Sequence, residues 1–272
     1  MKSILVHLDH EDCSVRLGVT RRLAEEHGAR IVGLFAERAK AAVVGAVATW
    51  PSEAYVKAAA ESRAAFEAAV AGLPKTEWRD ANRGGEAEVI KAVVNAAHGV
   101  DLVILGKDSG GSVHSAVPAG LAEKVLVESG RPCLIVPNET PVPHLGQWPL
   151  VAWNGSREAA RAVHGALPLL ARAEQVLVLD GGSEAESGAM LQLPRFDLAA
   201  ALKRHGVRAE FRRFAPGGGS ARATDLLDAA RAAQADLIVM GAWGHSRLTE
   251  LVLGGITRQM FQSSDLPLLV AH

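Results

Sequence analysis

Apolar positions along the chain fall into two rhythms. Short unbroken runs, such as Leu102-Val103-Ile104-Leu105 and Leu237-Ile238-Val239-Met240, suit strands covered on both faces, as in a parallel sheet. Longer segments with helical spacing separate them. The runs predict strands near 3–9, 31–36, 76–82, 101–106 and 132–136, then near 149–153, 175–180, 207–214, 236–241 and 267–271. The periodic segments predict helices near 14–28, 52–72, 86–98 and 117–129, then near 156–171, 189–205, 220–233 and 254–264. Ser156 and Ser220 stand where N-caps are expected. Strict strand–helix alternation implies right-handed crossovers and a doubly wound α/β sheet.

The pattern occurs twice. Val100-Asp101-Leu102-Val103-Ile104-Leu105-Gly106 parallels Ala235-Asp236-Leu237-Ile238-Val239-Met240-Gly241, and Arg131-Pro132-Cys133-Leu134-Ile135-Val136 parallels Leu266-Pro267-Leu268-Leu269-Val270-Ala271, both at an offset of 135 positions. Leu5-Val6-His7-Leu8-Asp9 answers Leu150-Val151-Ala152-Trp153-Asn154 at an offset of 145. The first half therefore carries about ten extra residues between its second and third strands. This is a duplicated domain, not a solenoid unit. The expected division is a domain over 1–137, a proline-bearing linker over 138–148, and a domain over 149–272.

Glycines supply the candidate chemistry. The stretch from Met240 to Thr257 leaves a strand, passes Gly241, Gly244, Gly254 and Gly255, and enters a helix. Main-chain N–H groups there can close on oxyanions with no Cβ in the way. The alternative is a glycine-rich turn that merely packs close to the sheet. No Walker pattern with its Lys appears, and no GxGxxG opens the first helix of either half, so P-loop hydrolysis and NAD chemistry drop out. The ten histidines show no HExxH spacing, and no metal site is expected. Net charge is −1 with no basic block, which argues against nucleic acid as the main partner. No apolar stretch reaches the roughly 20 residues that span a bilayer, and no secretory signal is visible, so no membrane is expected and the address is expected to be cytoplasmic. Cys13 and Cys133 fit reduced structural thiols.

The order of elements, the Asp or Asn ending each first strand, and Gly241-x2-Gly244-x9-Gly254 together resemble the universal stress protein (UspA) family, in its tandem two-domain form. The resemblance implies two tandem five-stranded parallel-sheet domains of the Rossmann-like, adenine nucleotide alpha hydrolase-like class. It implies a pseudo-two-fold axis across which strands 132–136 and 267–271 pair antiparallel, an intramolecular pseudo-dimer, with a further homodimer left open. It also implies ATP, with or without Mg²⁺, at the carboxyl end of the sheet. In the second half Asn154 takes the place of the family's Asp. Val178 matches a backbone contact to adenine, and Met240 lies against the base. Gly241 and Gly244, with His245 beside them, match the phosphate loop. Gly254 matches the helix-entry glycine. Gly255 replaces the family's Ser or Thr, and Thr257 is a substitute hydroxyl.

At the offset of 135 the first half has Ser109 for Gly244, Ala119 for Gly254 and Ala122 for Thr257, although Gly106 and Gly120 remain and Asp9 keeps the carboxylate. Pro118 is expected in the first turn of a helix, where it removes an N–H donor. The first half is therefore expected not to hold ATP in the usual way. Near the second loop, Thr249, Glu250, Thr257 and His245 form no evident catalytic constellation, and no catalytic residue is assigned. The leading expectation is a regulatory module that binds an adenine nucleotide and signals to a protein partner. A slow ATPase and a ligand-free interaction scaffold stand beside it.

Overall fold

The computed structural model describes residues 1–38, 42–44, 47–49, 51–81, 84–107, 116–181, 197–214, 222–242 and 255–272. The chain divides into an N-terminal unit, Met1–Pro141, and a C-terminal unit, Val142–His272.

In the N-terminal unit, β1 (Ser3–Leu8), α1 (Ser14–His27), β2 (Arg30–Phe35), a small hairpin of β3 (Ala42–Val44) and β4 (Val47–Thr49), α2 (Glu53–Ala69), β5 (Thr76–Asp80), α3 (Glu86–Ala97), β6 (Leu102–Gly106), α4 (Leu121–Ser129) and β7 (Cys133–Val136) follow in order. The main strands lie in the order β7-β6-β1-β2-β5 and pair in parallel. The C-terminal unit runs β8 (Pro149–Trp153), α5 (Arg157–Leu170), β9 (Val176–Asp180), α6 (Leu198–Arg204), β10 (Ala209–Arg213), α7 (Ala223–Ala232), β11 (Leu237–Gly241), α8 (Gly255–Ser263) and β12 (Leu268–Ala271). Its strands lie in the order β12-β11-β8-β9-β10, again all parallel. Both units thus carry the doubly wound arrangement expected from strand–helix alternation. Ile4, Leu5, Val103 and Ile104 in one unit, and Leu150, Val151, Ile238 and Val239 in the other, are fully buried, as strands covered by helices on both faces must be. Among the described residues no helix is long and apolar enough to cross a membrane.

Several local expectations change. Helix α4 starts at Leu121, not near 117, because Gly120 stands before it in the left-handed region at φ 68°. Pro118 therefore lies ahead of the helix, where its carbonyl accepts from Leu121 N (3.1 Å). Helix α7 is led by Arg222, whose N–H donates to the Asp225 carboxylate (3.0 Å); Ser220 lies outside the described residues. Pro149, which adjoins the linker, opens β8, a position where a strand tolerates the missing N–H. Ser156 does cap α5, accepting from Ala159 N (3.1 Å), a contact worth about 1 kcal/mol. The extra length of the first half falls in α2, with 17 residues against 7 in α6.

Candidate functional site

In each unit the strand order reverses at the first strand. β1 is flanked by β2 and β6, and β8 by β9 and β11. In open parallel sheets this switch point leaves a crevice outside the carboxyl ends of the two central strands, the usual seat of a ligand. Asp9 with Gly106, and Asn154 with Gly241, stand at these two places.

The residue after the first strand does the same local work in both. Asp9 Oδ1 accepts from Glu11 N (2.8 Å), and Asn154 Oδ1 accepts from Ser156 N (3.1 Å). Each side chain turns the chain from strand into helix. Their surroundings differ sharply. Asp9 is 3% exposed, whereas Asn154 is exposed.

Between the ends of β1 and β6, the described residues place the protein's own charges. Arg16, on the inner face of α1 with Thr20 and Leu23, is buried. Its Nη1 donates to His7 O (2.9 Å) and to Asp9 Oδ2 (3.1 Å). Its Cζ and Nη2, with Asn138 Oδ1, lie 2.7 Å from where a Cβ on Gly106 would stand, so any larger residue there would push against the guanidinium. His7, also buried, donates from Nε2 to Ala36 O (2.7 Å). Burial pushes the Asp9 carboxyl up, but the Arg16 guanidinium, His7 and the Glu11 N–H together hold it below its ordinary value. Burial drives the His7 imidazole below its ordinary value; Asp9 opposes this and Arg16 adds to it. The space left beside Arg16, Lys107 and Asn138 is about 20 Å³, room for one water.

In the C-terminal crevice the two nearest neighbours of the glycine are main-chain atoms. A Cβ on Gly241 would lie 2.4 Å from Ala159 N, 2.6 Å from the carbonyl carbon of Glu158 and 2.9 Å from Glu158 Cβ. The first turn of α5 thus presses on the end of β11. Arg161, which answers Arg16 at the repeat offset of 145, is exposed and donates to His272 O (2.8 Å). Glu158 is buried and bonded to the Arg157 guanidinium. Burial pushes its carboxyl up, but Arg157, the Glu158 N–H and His272 hold it below its ordinary value.

Of the residues expected at the nucleotide, Met240 and Gly241 end β11 beside β8, with Met240 in register with Ala152, two residues before Asn154. Val178 is fully buried one row deeper, paired with Val151 on one side and Phe211 on the other; Leu179 shares the row of Ala152 and Met240. Gly255 is the exposed first residue of α8, and Thr257 is buried in its first turn. Gly244, His245 and Gly254 lie outside the described residues. Sequence reasoning missed Arg16 and Glu158. The signal for Arg16 was a charge among the apolar inner positions of α1, seven residues after Asp9.

Residues 150–272 match the profile of a family described as the universal stress protein family. A universal stress protein from Archaeoglobus fulgidus DSM 4304 is 17% identical, with 99% of this chain and 97% of that one covered at a TM-score of 0.66. A putative universal stress protein from Pseudomonas aeruginosa UCBPP-PA14 is 15% identical, with 100% and 93% covered at 0.63. A universal stress protein solved in complex with cAMP is 19% identical, with 51% of this chain and 98% of that one covered at 0.36. No curated protein matches the sequence.

Proposed function

We propose, from the match of residues 150–272 to the universal stress protein family, that the C-terminal unit binds one adenine nucleotide, ATP first among them. The nucleotide sits in the crevice beyond β8 and β11. The protein holds it as a regulatory module of the stress response and passes the bound state to a protein partner. The observation that carries this reading is the contrast between the two switch points: Asn154 is exposed beside the end of β11, while Asp9 is buried under Arg16. The spacing Gly241-x2-Gly244-x9-Gly254 supports it, since glycines between a strand and a helix leave main-chain N–H groups accessible to a polyphosphate.

Equilibrium dialysis of the whole chain against ATP, with and without Mg²⁺, tests the stoichiometry. One ATP per chain is expected. Two per chain, or none, refutes the reading. At 100 times its dissociation constant, bound ATP adds about 2.7 kcal/mol of stability to the unit that holds it. Phosphate release in the same samples separates holding from slow hydrolysis.

A further inference from the structure

Between α1 and α2 the N-terminal unit carries a cavity of about 530 Å³. Small-molecule sites span about 300–1,000 Å³. Leu8, Cys13 and Leu17, all buried, line its base. On one side Ala58, Ala65 and Ala69 recur at helical spacing and share one face of α2. On the other side stands Gly18, the fifth residue of α1. Arg21 closes one end, where its Nη1 donates to Ala69 O (2.8 Å) and Ala71 O (3.0 Å).

Gly18 is the telling residue. Glycine inside a helix costs stability relative to alanine. A close neighbour or a left-handed backbone normally accounts for it. Gly18 has neither: a Cβ there would meet nothing within 4 Å, and its φ is not positive. A local rule broken with no gain in packing marks a functional place in a fold. The charges of the lining say what fits. Its basic side chains, His10 and Arg21, are each bonded to an acid outside it, Glu37 (2.9 Å) and Glu25 (2.9 Å). Asp9 is held by Arg16. Asp12 and Glu61 are exposed at the mouth. Asp12 Oδ1 accepts from Ser14 N (2.8 Å), with no cation against it among the described residues. Glu61 meets only Lys57 (3.7 Å), an exposed pair of little strength.

We propose that the cavity between α1 and α2 binds a small organic cation, an amine carried on an apolar body. The body lies in the space that Gly18 leaves open, over Leu8 and Leu17 and against the alanines of α2. The ammonium meets the carboxylates of Asp12 and Glu61. An apolar pocket with a few polar groups that fix orientation is the usual form of such a site. This site belongs to the N-terminal unit and is independent of the nucleotide.

The probe is dansylcadaverine, a primary amine on a naphthalene body, followed by the blue shift of its emission on titration with the whole chain. One saturable site per chain is expected. N-acetyl dansylcadaverine keeps the body but not the charge, and it should bind about fivefold more weakly. Gly18→Leu puts a side chain into the open space and should lose about tenfold, with exchange in β1 and β6 no faster than before. Asp12→Asn keeps the acceptor for Ser14 N, so Asp12→Asn/Glu61→Gln removes charge alone and should lose about fivefold. Absence of saturable binding, equal affinity for the two probes, or full affinity in Gly18→Leu overturns the proposal. So does competitive displacement by ATP, because the amine would then occupy the nucleotide crevice.

Discussion

Replacing Arg16 with Met takes one partner from a charge pair in which the Arg16 and Asp9 side chains are 4% and 1% exposed. The methionine keeps the apolar stem against α1 but leaves the Asp9 carboxylate buried with no cation. It also removes the donor to His7 O. Breaking a buried pair from one side costs about 3–5 kcal/mol, because the surviving charge has lost its compensation. The loss belongs to the N-terminal unit. Two units need not unfold as one, so a global melting curve is the wrong assay. Hydrogen exchange resolves them: amides of β1 and β6 report on one unit, and those of β8 and β11 on the other. A loss of 3–5 kcal/mol speeds exchange by roughly two to three and a half decades in the first pair of strands only. Arg161→Met is the internal control, since Arg161 is exposed and touches only the end of the chain among the contacts described. Surface changes of that kind stay within about 0.5 kcal/mol. Adding Asp9→Asn to Arg16→Met removes the orphaned charge and should restore most of the loss. Acceleration below tenfold in β1 and β6, or equal acceleration in β8 and β11, would show that the pair does not hold the N-terminal crevice closed.

Gly241→Ala should destabilise the C-terminal unit by about 1–3 kcal/mol, since the new methyl must displace the α5 backbone 2.4 Å away; Gly255→Ala, which meets nothing within 4 Å at a helix start, should be neutral or stabilising, and exchange in β8 and β11 reads both. His7 has a folded pKa below its ordinary 6.5, so on acidification the unfolded chain takes its proton first, and stability falls as pH drops from 6.5 toward the folded value. The slope is at most about 1.4 kcal/mol per pH unit. His7→Gln should flatten denaturation midpoints over that window, whereas the Asp9 contribution, of the same sign, is lost only below about 3.8. Burial pushes the thiols of Cys13 and Cys133 up to about 11 and about 12, so neither should react with Ellman's reagent at pH 8 until the chain is denatured; native labelling within minutes would contradict their burial.

The order and type of the main elements were legible because buried parallel strands are apolar throughout while their helices keep a polar face. The hairpin of β3 and β4 was not, because strands of three residues are too short to show a period. The start of α4 was misplaced because a helical pattern continues through Gly120, whose left-handed backbone no sequence period records. Val178 falls a row below Met240 because a strand's length does not reveal how its register staggers against its neighbours.

The glycines at the ends of β6 and β11 show where sequence comparison between repeats reaches its limit. Gly106 and Gly241 occupy the same place, yet each is needed for a different neighbour. Over Gly106 lies a guanidinium, held by the carboxylate that ends β1. Against Gly241 lies the backbone of α5, so the space that Arg16 fills in one unit is occupied by main chain in the other. The strand-end residue differs to match. An Asp buried at that point requires a cation, and Arg16 turns inward to supply it. A neutral Asn makes no such demand, and Arg161 turns outward to His272. The choice of Asp or Asn, joined to the direction of an arginine seven residues later, thus decides at which strand end the side chain is buried against the protein's own charges and at which it stays exposed.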